Sequence, residues 1–285
     1  MPKLGNNFLK MAPNTPKFLK FLQSKEIGEY IKHFPNNVGS SGYDPWGFNL
    51  KGVKNILPLS KFLYDSFFRV EASGLENIPK EGRCLIIGNH SGQLPLDGML
   101  VGHALLTNPN GSRAPKAMIE RFLPTVPFIG NMLNSLGAVI GDPVNCERML
   151  NMEEAIIVFP EGVRGSGKTF QNRYKLQRFG SGFMHLAMKH KTPIIPVGIV
   201  GCEESIISIA DIKPLAKLLG MPYAPLIFPA VLPTKVYLHF GKPMYFNPKT
   251  KDYRETEANQ NVIIVKEEIK NLIDLGLTKR KAIFE

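Results

Sequence analysis

Two polar stretches in this chain carry the residue types that acid–base chemistry and anion binding need. The first is Gly88-Asn89-His90-Ser91-Gly92-Gln93-Leu94-Pro95-Leu96-Asp97; the second is Val158-Phe159-Pro160-Glu161-Gly162-Val163-Arg164. A histidine titrates near neutral pH, so His90 can accept a proton from a hydroxyl. A carboxylate on its far ring nitrogen fixes the tautomer and stabilises the imidazolium that forms, and Asp97 is the candidate for that place. In the second stretch Glu161 and Arg164 flank a turn-forming Gly162. Arg164 can grip a phosphate through two parallel hydrogen bonds, and Glu161 can hold that arginine or a substrate hydroxyl. Downstream, Lys168, Arg173, Lys175 and Arg178 either extend the anion site or form a solvated face.

Each stretch follows a run that reads as a buried strand, Cys84-Leu85-Ile86-Ile87 and Ala155-Ile156-Ile157-Val158-Phe159. In an open α/β sheet, ligands bind beyond the carboxyl ends of the strands, so two such loops can face one crevice. Strand patterns also fall at 68–72, 116–119, 137–140, 193–200 and 234–240. Helical patterns fall at 53–68, 96–106, 124–134, 145–151, 175–190, 204–220 and 257–275. This alternation predicts an α/β fold with a largely parallel central sheet flanked by helices. In the last helix Val262, Val265, Ile269 and Leu272 share one face. Residues 1–36 read as a basic helical arm, and 37–52, rich in Gly, Ser and turn signals, as a linker. The expected organisation is therefore an arm and linker over 1–52 and an α/β domain over 53–285.

Asn89-His90 with Asp97, then Phe159-Pro160-Glu161-Gly162-Val163-Arg164, then Pro193-Ile194-Ile195-Pro196-Val197 resemble, in that order, the motif blocks of the glycerolipid acyltransferase family. The resemblance covers roughly residues 68 to 243. It implies transfer of a fatty acyl chain from an acyl thioester, acyl-CoA or acyl carrier protein, to a glycerolipid or lysophospholipid hydroxyl. His90 would be the general base, no acyl-enzyme would form, and neither metal nor cofactor would be needed. The tetrahedral intermediate needs hydrogen-bond donors, for which amides near Ser91-Gly92 or Gly162 are candidates. Two departures stand out. Six residues, Ser91 to Leu96, separate His90 from Asp97 where the family usually has four, so Leu94-Pro95 must bulge out to return Asp97 to His90. The region matching the family's second block, Gly137-Ala138-Val139-Ile140-Gly141-Asp142, lacks the usual arginine, which tilts expectation away from a strictly phosphorylated acceptor.

The same residues admit rivals. Gly162-Val163-Arg164-Gly165-Ser166-Gly167-Lys168-Thr169 matches the nucleotide phosphate-loop pattern GxxxxGK[ST] after a strand. Against it, Pro160-Glu161 intervenes between strand and loop. The candidate metal-binding aspartate, Asp211, ends a run, Ile206 to Ala210, that falls in a helical pattern. A non-catalytic lipid-binding protein on this fold is a third reading.

The net charge of +11 suits anionic lipid, nucleic acid or a phosphorylated substrate. Nucleic acid is set aside because the aromatics do not interleave with a basic stripe. Cys84, Cys146 and Cys202 share no metal or framework spacing, which fits reduced thiols in the cytosol. Met1 to Asn7 lacks a signal peptide's apolar core, and no run of about 18 apolar residues offers a spanning helix. The amphipathic stretch from Phe18 to Phe34 and the proline-broken apolar run 221–233 either cap the core or lie on a bilayer. The expectation is a peripheral membrane enzyme on the cytoplasmic side, with a membrane lipid surface as partner.

Overall fold

The computed structural model describes residues 38–285 apart from 92–93, 122, 126–128, 213, 215, 217–224 and 249–254. The arm expected over 1–36 lies outside the described residues. The elements are α1 (Leu50–Phe62), β1 (Glu71–Ser73), β2 (Cys84–Gly88), α2 (Leu96–Leu106), β3 (Pro115–Ile119), α3 (Ile129–Ser135), β4 (Ala138–Ile140), α4 (Pro143–Asn151), β5 (Ala155–Val158), α5 (Val163–Ser166), α6 (Gly182–His190), β6 (Ile194–Val200), α7 (Cys202–Ser205), β7 (Ser208–Asp211), β8 (Pro225–Ile227), β9 (Tyr237–Phe240) and α8 (Glu255–Lys279).

Seven strands form one sheet in the order β1-β9-β6-β2-β5-β3-β4, and β7 pairs with β8 separately. All neighbours in the large sheet run parallel except β6 and β9. The central strands β2 and β6 are buried along their whole length, as a parallel sheet covered on both faces requires. Their alternate side chains divide between two apolar layers. Leu85, Ile87 and Ile156 pack with α4, α6 and α8, whereas Cys84, Ile86 and Ile157 pack with α2 and Phe68. On α8, Val262, Val265, Ile269 and Ile273 are buried, at the three- and four-residue steps that put them on one face.

Three sequence expectations are corrected. Helix α1 starts at Leu50, capped by the Asn49 side chain, which accepts a hydrogen bond from Gly52 N at 2.9 Å. The turn-rich stretch before it is no free linker. The Asp44 carboxylate accepts from Trp46 N (2.9 Å) and Phe48 N (2.8 Å) and forms a buried ion pair with Lys116 of β3. The helix expected from 175 begins only at Gly182, because the segment before it is drawn out along the β5 loop, with Gly180 N donating to Pro160 O at 2.9 Å. The helix expected over 204–220 gives way as far as Asp211 to the short α7 and strand β7, whereas Pro214 and Ala216 beyond them are helical, with Ala216 N donating to Ile212 O at 3.0 Å. The β-branched Ile206, Ile207 and Ile209 favour extended backbone, and β8 supplies the pairing partner.

Candidate active site

Strands β6, β2 and β5 are adjacent and parallel, so the loops at their carboxyl ends meet at one end of the sheet. They deliver His90, Glu161 and Glu203. Asn89 prolongs the β2–β6 ladder with its side chain: Nδ2 donates to Ile199 O (3.0 Å) and Oδ1 accepts from Ile199 N (2.8 Å). His90 follows from this anchored position. Its Nδ1 lies 2.6 Å from Oδ2 of Asp97, in the first turn of α2. The six-residue spacing therefore closes, with Leu94 and Pro95 bulged outward into solvent. Asp97 is fully buried and also accepts from Ser91 N (2.8 Å) and Gly98 N (2.7 Å). It sits in the first turn of α2, at the positive end of the helix dipole.

A carboxylate partner requires the proton on Nδ1, which leaves the Nε2 lone pair available. Nε2 makes no hydrogen bond among the described residues, and the ring stacks on Phe159 with centroids 4.6 Å apart. Burial alone pulls the imidazole pKa down. The charge and hydrogen bond of Asp97, helped by Glu161, outweigh that and raise it above the ordinary 6.5.

Glu161 does not project into the crevice as a substrate-positioning residue. It is buried; Oε1 accepts from His90 N (2.9 Å) and Oε2 from Gln177 N (2.7 Å), so it ties the β2 and β5 loops together. Gly165 lets this contact form: a Cβ there would lie 2.7 Å from Cβ of His90 and 2.8 Å from Cβ of Glu161. Gly162 holds φ at +54°, left-handed backbone that favours glycine, and a Cβ there would lie 2.9 Å from Glu120 Oε1.

The basic residues divide. Lys168 is buried, 2.8 Å from Oε1 of Glu203 and 3.7 Å from Oε2 of Glu161. Arg173 lies 3.4 Å from Glu204 and stacks on Phe170 at 4.3 Å. Glu204 is also held by both Nη atoms of Arg280, at the end of α8. Lys168 and Arg173, expected as substrate contacts, are thus engaged by buried carboxylates. Arg164 is exposed and makes no hydrogen bond or ion pair among the described residues. Sequence reading missed Glu203 and Glu204; two adjacent acids closing an apolar strand in a basic chain were the available signal. Burial pushes the Glu203 carboxyl up despite Lys168.

Of the expected backbone donors, Gly92 lies outside the described residues and the other two are already engaged. Ser91 N is spent on Asp97, and Gly162 N donates to Phe159 O (3.0 Å), so neither is free for an oxyanion. The phosphate-loop alternative fails on the same grounds. The amides of Gly165, Ser166, Gly167 and Lys168 turn inward to carbonyls of residues 162, 163 and 165, and the lysine lies between carboxylates. Asp211 is on a strand, not a helix as expected, but that strand belongs to the separate β7–β8 sheet.

An acyltransferase family model matches residues 69–200, spanning both polar loops and β6. An uncharacterized protein of Mycobacterium tuberculosis is 35% identical over 93% of this chain and 74% of its own length. The chain belongs to the glycerolipid acyltransferase family. Among other members, the bovine (Bos taurus) "DGAT1/2-independent enzyme synthesizing storage lipids" is 25% identical over 68% of this chain and 57% of its own length. The crystal structure of the 1-acyl-sn-glycerophosphate (LPA) acyltransferase PlsC from Thermotoga maritima shares the fold. Its TM-score is 0.56 at 20% identity, with 93% of this chain and 95% of that one covered. In this acyltransferase the second-block region lies on edge strand β4, two strands from β5, and its Asp142 caps α4 through Asn145 N at 2.9 Å.

Proposed function

We propose that this acyltransferase moves a fatty acyl chain from an acyl thioester, acyl-CoA or acyl carrier protein, onto the hydroxyl of a glycerolipid or lysophospholipid. The observation that carries the reading is the His90 Nδ1 to Asp97 Oδ2 contact of 2.6 Å, which leaves Nε2 as a base at the end of the sheet. Nε2 takes the acceptor hydroxyl's proton as the oxygen attacks the thioester carbonyl carbon. The carbonyl π pair moves onto its oxygen. On collapse the C–S bond breaks, and the departing thiolate takes the proton from Nε2. The ester forms in one displacement with no acyl-enzyme. Asp97 holds the tautomer and stabilises the imidazolium. Arg164 meets the acceptor's phosphate where it has one.

The names of the relatives, a lysophosphatidate acyltransferase and an enzyme synthesizing storage lipids, support a lipid acceptor. Such an acceptor puts the reaction at a membrane surface, and three buried free thiols suit its cytoplasmic side. The test is acyl transfer read by mass spectrometry, with acyl-CoA and acyl carrier protein donors against glycerol 3-phosphate, lysophospholipids and neutral glycerides. A new ester with one donor–acceptor pair is expected. No product from any pair would leave the non-catalytic lipid-binding reading in its place. With a phosphorylated acceptor, Arg164→Ala is expected to raise the acceptor KM about tenfold or more with little change in kcat. An unchanged KM would remove Arg164 from the acceptor site.

A further inference from the structure

The chain leaves the central sheet at Val200 and returns at Tyr237, and these two residues are register partners on β6 and β9. The whole excursion therefore springs from the sheet end that carries His90. Its described part includes the strands β7 and β8, paired through Ser208 with Ile227 and Ala210 with Leu226. Ile209, Leu226, Ile227 and Phe228 stand open to solvent there, at 64, 48, 39 and 48% exposure. No charged residue occurs from Pro225 to Thr234. Clustered apolar side chains of this kind mark an interaction surface.

Charge beside the hairpin identifies the occupant. A cavity of about 600 Å³ opens at the start of β9, lined by Lys235, Lys279, Lys281, Tyr237, Glu71 and Glu285. Glu71 is register partner to Tyr237, so this cavity lies at the same sheet end. Lys235 neutralises Glu71 across 2.6 Å. Lys279 and Lys281 are exposed and make no hydrogen bond or ion pair among the described residues. Arg69 joins the two features, donating to Pro233 O (2.8 Å) on the hairpin's return and to Phe284 O (3.1 Å) beyond the lysines. An apolar projection beside unpaired ammonium groups complements acyl chains beneath a layer of phosphates.

We propose that the β7–β8 hairpin, with Lys279 and Lys281, docks on a bilayer containing anionic phospholipid and holds the active-site end against the leaflet that supplies the acceptor. This rests on the lipid-acceptor reading of the site. The experiment is flotation of the full chain with vesicles of phosphatidylcholine alone or mixed with phosphatidylglycerol. Wild-type protein is expected to bind the mixed vesicles. Ile227→Ser with Phe228→Ser should weaken binding to them about tenfold or more, while turnover on a short-chain acceptor below its micelle concentration is unchanged. Lys279→Ala and Lys281→Ala should each cost about fivefold on anionic vesicles alone, an effect that added salt removes. Equal binding by wild type and hairpin variant would overturn the proposal. So would a dimer that the hairpin substitutions dissociate, in protein that ignores vesicles. Vesicle binding without acyl transfer would leave the docking surface standing and remove the acyltransfer reading; transfer to a monomeric acceptor without vesicle binding would do the reverse.

Discussion

His90 is held between opposing influences, and their balance has two consequences of opposite slope. Because its pKa is raised in the folded state, the protonated His90–Asp97 pair contributes stability that is complete below about pH 6.5 and lost as pH rises through the raised value. Catalysis needs the neutral imidazole, so kcat/KM should rise over that same window, with its acidic limb above 6.5. Asp97→Asn removes the main raising influence and permits the wrong tautomer. Its pH–rate profile should show the limb moved to lower pH and a rate roughly 10²–10⁴-fold lower. A limb that stays in place at near-wild-type rate would make Asp97 a structural carboxylate. The dyad was legible in the sequence despite the longer spacing, because Leu94 and Pro95 lie outside the contact and helix α2 starts where its pattern says. Glu161 was legible as a site residue but not in its role. Its partners are backbone amides of His90 and Gln177, and a sequence does not display amides.

The elements that carry the site were readable where burial is complete. Strands β2, β5 and β6 are continuous apolar runs, and each stops two or three residues before the polar residue that matters. The run after β6 misled because an apolar stretch of that length fits a helix or a strand equally well; its partner on β8 is distant in sequence and decides the matter. The loops depend on Glu161 as a clamp between β2 and β5. In Glu161→Gln one oxygen still accepts an amide, whereas the new NH₂ faces the other donor. This should destabilise the protein by about 1–3 kcal/mol and lower kcat with little change in acceptor KM. Thermal unfolding and a kcat-against-KM comparison check it. A rise in KM alone, with stability unchanged, would return Glu161 to the acceptor.

Across the whole molecule, buried charge fastens peripheral segments to the sheet. Arg280 of the C-terminal helix region grips Glu204, and Asp44 and Lys116, whose side chains are each 1% exposed, fasten the segment before α1 to β3. Removing one member of such a pair leaves the other charge buried alone. Lys116→Met should therefore cost about 3–5 kcal/mol of stability, measured by denaturant unfolding; a cost below about 1 kcal/mol would mean that the segment detaches readily. These attachments were hidden in the sequence because Lys116 sits inside a strand pattern and Asp44 in a turn. The net charge of +11 told only that anions are favoured as partners.

The most direct test of the chemistry is the acyl-transfer rate of His90→Ala beside wild-type protein, under one donor and one acceptor, with folding of both verified by circular dichroism. A general base at His90 predicts a loss of about 10²–10⁴-fold in kcat in a variant that remains folded. Turnover within a few-fold of wild type would contradict it and place the proton transfer elsewhere.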